Sequence, residues 1–180
     1  MASEFWLYLI ATLWFIMPAY VANASAPLAK GKMPIDRRKY FGKERLLGDG
    51  KTIEGLVFGV ILGTLTGFIM TFFYNDIIFL FEGTEITLPY IDIFIGFVIS
   101  FGALFADIVG SFIKRRIGMR RGEDALLLDQ LDFVVGAALF GYFFTYIDWA
   151  MIIILIALTP IVHRIANIVG YVLKIKEVPW

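Results

Sequence analysis

The chain contains no cysteine, which excludes disulfides, thiolate metal sites and cysteine nucleophiles. It has one histidine, and no Ser/His/Asp or Cys/His set occurs with a recognisable catalytic spacing. Charge is scarce too: 18% of 180 residues are charged, against roughly a quarter in a soluble domain. The formal net charge is zero, so bulk charge points to no partner, nucleic acid included. There is no internal repeat and no low-complexity tract. Inverted halves, a mark of many transporters, are absent as well.

Apolar residues are abundant, at 59% of the chain with 17% aromatic. They fall into long runs, and about 20 consecutive apolar residues cross a bilayer core. Five spans are predicted, at about 3–22, 53–81, 89–113, 129–146 and 148–172. The expected fold is a single all-α transmembrane domain over residues 1–180, a bundle of about five helices. The first apolar run, 5–21, is followed by Ala22-Asn23-Ala24-Ser25-Ala26, which looks like a signal-peptidase site. Its only preceding charge is Glu4 and Pro27 follows the cut, so the segment reads as a retained helix.

The sixteen basic residues sort themselves. Lys30, Lys32, Arg37, Arg38, Lys39, Lys43, Arg45 and Lys51 lie in a first loop, about 23–52. Lys114, Arg115, Arg116, Arg120 and Arg121 lie in a second, about 114–128. Arg164, Lys174 and Lys176 belong to the last part of the fifth span or follow it. Segment 75–90 carries Asp76, Glu82 and Glu85 with no lysine or arginine. The positive-inside rule then predicts a multi-pass protein of the cell membrane, N-terminus outside, C-terminus and both basic loops cytoplasmic. The Asn23-Ala24-Ser25 sequon would face the cytoplasm and is discounted as a glycosylation site. A short amphipathic stretch on the membrane surface is expected around 35–47.

In the second span Gly55, Gly59, Gly63 and Gly67 recur every four residues. Such a stripe lets a neighbouring helix approach closely. It serves packing within the chain or, alternatively, a homodimer contact.

Polar groups crowd the cytoplasmic level of the bundle. Asp107, Ser111, Lys114 and Arg115 share roughly one face of a helix. Asp107 lies inside an apolar run, where an ionisable residue is a functional candidate. Asp129 and Asp132 are three apart, and two carboxylates so placed repel unless a cation stands between them. A hard divalent ion such as Mg²⁺ would serve and would also hold phosphates. The alternative is an acidic, solvated helix start, which fits Asp129 better than Asp132. Lys43, Arg45, Lys51, Lys114 and Arg115 could neutralise a polyphosphate; facing anionic lipid is their simpler role. Gly48-Asp49-Gly50-Lys51-Thr52 precedes a helix and could present backbone N–H groups to phosphate, although its spacing is not that of a P-loop. His163 reads as structural, and Arg164 inside an apolar helix needs an anionic partner. Paired carboxylates, a cationic rim and a glycine turn at a membrane surface suggest phosphate chemistry on a lipid.

These motifs also resemble a known family. Ser111-Phe112-Ile113-Lys114-Arg115, then Asp129-Gln130-Leu131-Asp132, resembles the Ser-x-x-Lys-Arg and Asp-Arg-x-Asp elements of the CDP-diacylglycerol synthase superfamily. Lys51-Thr52-Ile53-Glu54-Gly55 resembles its Lys-Thr-x-Glu-Gly element. The short length, Pro18-Ala19-Tyr20-Val21-Ala22-Asn23 and Gly48-Asp49-Gly50-Lys51-Thr52 look like the archaeal branch, the CDP-archaeol synthases. Two features depart from the bacterial pattern: a His-Gly-Gly element is missing and Gln130 replaces the arginine.

The resemblance implies a CTP-dependent cytidylyltransferase acting on a lipid phosphate with geranylgeranyl ether chains, amid membrane lipids. It implies catalytic roles for Asp129, Asp132, Lys114 and Arg115, and Mg²⁺ held by Asp129 and Asp132 with Asp107. Asn23, Lys51, Thr52, Ser111, Lys114 and Arg115 would contact CTP or its phosphates. Lys43, Arg45 or Arg164 would meet the lipid phosphate. A transporter that uses the intramembrane charges, or a lipid-binding subunit without activity, are the alternatives. Against a transporter stands the crowding of the polar residues at one membrane level.

Overall fold

The computed structural model describes residues 2–42, 44–119, 128–172 and 174, the side chains of 2, 3 and 128–130 excepted. Five α-helices follow one another: α1 (Ala2–Ser25), α2 (Ile53–Ile78), α3 (Ile93–Arg116), α4 (Leu128–Gly141) and α5 (Trp149–Val172). The first loop adds a two-stranded antiparallel hairpin, β1 (Tyr40–Phe41) and β2 (Glu44–Arg45), with Tyr40 opposite Arg45. The stretch expected to be amphipathic thus contains turns and a hairpin.

Four of the helices, all but α4, are long and apolar enough to cross a membrane. α4 has 14 residues, about 21 Å at 1.5 Å per residue, short of the roughly 30 Å hydrocarbon core. The predicted span ran on to 146. The helix instead stops at Gly141, and the chain turns, with Phe144 N–H and Thr145 N–H both donating to Gly141 O at 2.9 Å. Thr145 Oγ1 then donates to Tyr90 O at 2.9 Å, so this turn ends level with the entry to α3. That entry also differs from expectation. The predicted span began at 89, but Asp92 caps α3 by accepting from Ile95 N at 2.8 Å. Pro89, just before it, takes the Trp14 indole N–H on its carbonyl at 3.1 Å.

In a bilayer lipid tails are as apolar as leucine, so close approach between helices must hold a bundle together. The glycine stripe of α2 provides it. A Cβ at Gly59 would stand 2.7 Å from Ala22 O, and one at Gly67 would stand 2.6 Å from Asp92 O. Gly63 abuts Pro18 O and the Ser100 side chain. All four glycines are buried against α1, α3 or the segments flanking them, so the stripe packs within the chain. The outward positions of α2, among them Val57, Ile61, Phe68 and Phe72, are exposed as a lipid-facing surface requires.

α3 and α4 pack antiparallel: Gly110 meets Asp132, Gly136 meets Ala106, and Gly102 meets Phe140. α5 closes the bundle against α1 and α4, where Tyr20 and Thr159 share a hydrogen bond of 3.0 Å. Phe15, Ile16, Ile99, Phe133, Met151 and Leu155 fill the centre. Charge divides the two ends. Arg116 at the end of α3 bonds the carbonyl of Arg45, which brings the first loop to that end.

Candidate functional site

The first loop is built around Asp36. Its buried carboxylate accepts the backbone N–H groups of Arg38, Leu47 and Gly48 at 3.0–3.1 Å. Arg45 pairs with it at 2.8 Å and with Asp49 at 2.6 Å. Burial would raise the Asp36 pKa, but the guanidinium and the three N–H donors outweigh it and lower the value to about 2. The same two carboxylates push Arg45 further into its charged form.

The Lys-Thr-x-Glu-Gly element starts α2. Thr52 caps the helix, its Oγ1 accepting from Gly55 N at 3.1 Å. Glu54 reaches back and accepts the N–H groups of Lys32 and Met33 at 3.1–3.2 Å. Ile35 N–H donates to Lys51 O at 2.9 Å and Ile53 N–H to Met33 O at 2.9 Å. The loop is thereby sewn to the helix start, and Lys51 is directed at α3, where it pairs with Asp107.

A cavity of about 310 Å³ lies at this junction. Asn23, Lys30, Asp49, Gly50, Lys51, Thr52 and Asp107 supply its polar lining, and Ile35, Leu104 and Ile108 its apolar wall. It sits at the positive end of α2, where an anion is favoured. Four of the residues singled out in the sequence, Asn23, Lys51, Thr52 and Asp107, therefore meet in one place.

The others lie around α3 and α4. Ser111 is buried, and Lys114 and Arg115 are half-buried in the last turn of α3. Arg115 donates to Met119 O. Asp132 is packed against Gly110, with Oδ2 buried and unpartnered. It stands at an apolar groove of about 490 Å³ between α3 and α4, lined by Phe105, Val109, Ile113, Val135 and Leu139 among others. A second apolar recess of about 350 Å³ shares Ile35 and Ile108 with the polar cavity and Val109 with the α3–α4 groove.

Some candidates are placed elsewhere. Arg45 is held by Asp36 and Asp49 within the loop. Arg164 is exposed on α5 and lines neither the polar cavity nor the α3–α4 groove. His163 bonds Asn167 at 3.3 Å and lies against the Phe133 ring. Lys43 and the Asp129 side chain lie outside the described residues. Among the described residues, no three His, Cys, Asp or Glu form a metal cluster.

A family model described as CarS-like, CDP-archaeol synthase, matches residues 5–180. The chain belongs to this family. Among its curated relatives is a CDP-archaeol synthase of Methanocaldococcus jannaschii, 46% identical, the match covering 98% of this chain and 99% of that one. Another, from Methanopyrus kandleri, is 44% identical over 100% of this chain and 98% of its own. A solved structure, described as an intramembrane enzyme for archaeal membrane lipid biosynthesis, is similar at 35% identity with a TM-score of 0.74. It covers 87% of this chain and 92% of that one. Family membership makes this chain a nucleotidyltransferase-type enzyme of the membrane.

Three residues of the CDP-archaeol synthase fold went unread in the sequence. Glu54 lies inside the quoted element, and that position is its one signal. Asp36 stands alone before Arg37-Arg38-Lys39, and Arg116 merges with the basic run of α3. Charge counting cannot reveal that Asp36 is buried in an ion pair with Arg45, or that Arg116 is tied to two backbone carbonyls of the hairpin.

Proposed function

We propose that the chain transfers CMP from CTP to 2,3-bis-O-geranylgeranyl-sn-glycerol 1-phosphate and releases pyrophosphate. The observation that carries this reading is the neighbourhood of two unlike spaces. A polar, lysine-bearing cavity at a helix N-terminus stands beside apolar recesses that reach the lipid-facing surface. A nucleoside triphosphate suits the first, and isoprenoid chains suit the second.

The reacting group is a phosphate that is already ionised, so no strong general base is needed. Its oxygen attacks the α-phosphorus of CTP; the new P–O bond forms as the bond to the β-phosphate oxygen breaks, and pyrophosphate leaves. Repulsion between two anions is the main barrier to positioning them. Lys51 would lie along the triphosphate, exchanging its Asp107 contact for phosphate oxygens. Asn23 and Thr52 would add neutral hydrogen bonds. Lys114 and Arg115, in the last turn of α3, would steady the departing pyrophosphate. Ser111 lies one turn before Arg115 and would orient the same group.

The donor set fits Mg²⁺. The ion binds through one or two carboxylates plus substrate phosphates, and Asp132 offers a buried oxygen with no protein partner. Asp132, with Asp129 and Asp107, would hold it; bound there it shields phosphate charge and polarises the α-phosphate. Lys43 or Arg164 would meet the lipid phosphate. The basic end of the bundle would face the cytoplasm, where CTP is found.

The test uses detergent-purified protein, the geranylgeranyl ether lipid phosphate, Mg²⁺ and radiolabelled CTP. Label should enter the lipid phase from CTP and be abolished by EDTA. ATP should not replace CTP, and diacylglycerol phosphate should be the poorer acceptor. No label from folded protein with lipid present would favour the binding or transport alternative.

A further inference from the structure

We infer that Asp36, Arg45 and Arg116 form a strut that sets the position of the Asp49–Lys51 edge of the polar cavity from the end of α3. The inference rests on the reading of that cavity as the CTP site.

Arg116 is the outer anchor. Its guanidinium lies 5.3 Å from the Phe41 ring centroid and 5.0 Å from that of Phe112, one ring from the hairpin and one from α3. Nη1 donates to Phe41 O at 3.1 Å and Nη2 to Arg45 O at 2.6 Å. Both acceptors are backbone carbonyls of the hairpin, so Arg116 fixes the hairpin's path and not just its charge. Arg45, at the end of β2, continues the chain of contacts to Asp36 and Asp49. Asp36 in turn holds the N–H groups of Leu47 and Gly48, immediately before Asp49, Gly50 and Lys51. Arg37 and Arg38 beside it have φ of 46° and 61°, a left-handed path that Asp36 stabilises by accepting Arg38 N–H.

The other end of the cavity edge is fixed separately. Thr52 caps α2, and Lys51 pairs with Asp107. Lys51 is thus held between α2, α3 and the strut. Arg116 belongs to the same helical turn as Lys114 and Arg115. The strut therefore ties the two sets of phosphate-binding cations to one frame. It also assigns Arg45 to positioning and removes it from the candidates for lipid-phosphate contact. Arginine suits both steps, because its planar fork can stack and bond two acceptors at once.

The test compares Arg116→Gln, Arg116→Lys and Asp36→Asn with the wild type by amide hydrogen exchange and steady-state kinetics. The strut requires that exchange across 46–51 speeds up on the order of tenfold in Arg116→Gln while the centres of α2 and α3 stay protected. KM for CTP should rise by about tenfold, with KM for the lipid within about twofold. Arg116→Lys, which keeps the charge and loses the fork, should fall between wild type and Arg116→Gln; Asp36→Asn should resemble Arg116→Gln. Unchanged exchange at 46–51 in folded Arg116→Gln overturns the strut. Faster exchange with unchanged KM for CTP reduces it to loop stability and also overturns it. A rise in lipid KM alone in Asp36→Asn would return Arg45 to the lipid phosphate. Should Arg116→Gln not fold, Arg116→Lys and Asp36→Asn are judged by the same criteria. A wild type that neither binds nor turns over CTP would refute the reading of the cavity, and exchange alone would then decide the strut.

Discussion

The two sides of α3 carry carboxylates in opposite conditions. On the α2 side, Asp107 is paired with Lys51 at the edge of a polar cavity. On the α4 side, Asp132 is pressed against Gly110 and keeps a buried oxygen without a partner. A pair can satisfy itself inside the fold. Asp132 Oδ1 accepts Phe133 N–H at 2.6 Å, but its buried Oδ2 is costly unless something from outside completes it. On the proposed reading the α2 side stores a cation for phosphate; the α4 side presents an unsatisfied oxygen at an apolar groove.

Asp132→Asn should have the largest effect on this contrast. Turnover should fall on the order of 1,000-fold, while the unliganded melting temperature stays the same or rises, since a charge demand has been removed. Thermal unfolding by tryptophan fluorescence beside the CTP assay separates the two. Lys51→Ala should come next, lowering kcat/KM for CTP by about 100-fold. Asp107→Asn, which removes the charge of a proposed Mg²⁺ holder but frees Lys51 for phosphate, should cost less; a loss as large as that of Asp132→Asn in the CTP assay would make Asp107 an equal holder of the ion. Gly110→Ala places a methyl group on the Asp132 carboxylate, and Gly136→Ala places one on the Gly102 carbonyl. Both should destabilise by roughly 1–3 kcal/mol, but only Gly110→Ala should lose activity beyond what its melting temperature explains.

The smallest effect concerns pH. The folded Asp36 pKa of about 2 lies below its ordinary 3.8, so the unfolded state binds the proton more readily. Its contribution to stability is complete above about pH 4 and is lost as pH falls towards 2. Asp36→Asn should be less stable than wild type at pH 6, and the gap should close over that window. A constant gap down to pH 2 would show that the Asp36 charge is not what holds the loop.

Much of the fold was legible because apolar runs of bilayer length leave few alternatives. The short α4 was not. Phe143, Phe144 and Tyr146 continue the apolar run, and the helix end shows only in the folded chain, in the turn at Gly141 and the tertiary hydrogen bond from Thr145 to Tyr90. The start of α3 was misplaced for a related reason: Pro89 and Tyr90 look like span residues, yet Asp92 is the cap. Within the site, Asn23, Lys51, Thr52 and Asp107 were named from the sequence and meet in the structure. Asp36 and Arg116 could not be found that way. Their importance lies in what each touches across 9 and 71 residues respectively, and a basic loop beside a membrane offers a simpler explanation for both.

We propose that Asp132 and the polar cavity are two parts of one CTP–metal site. Mn²⁺ tests it most directly, as a paramagnetic stand-in for Mg²⁺, by measuring its affinity with and without CTP in wild type and Asp132→Asn. Mn²⁺ should bind tightly only with CTP in the wild type, and at least about tenfold more weakly in a folded Asp132→Asn protein. Equal Mn²⁺ affinity in the two proteins would contradict it and leave Asp132 without the ligand that its buried oxygen calls for.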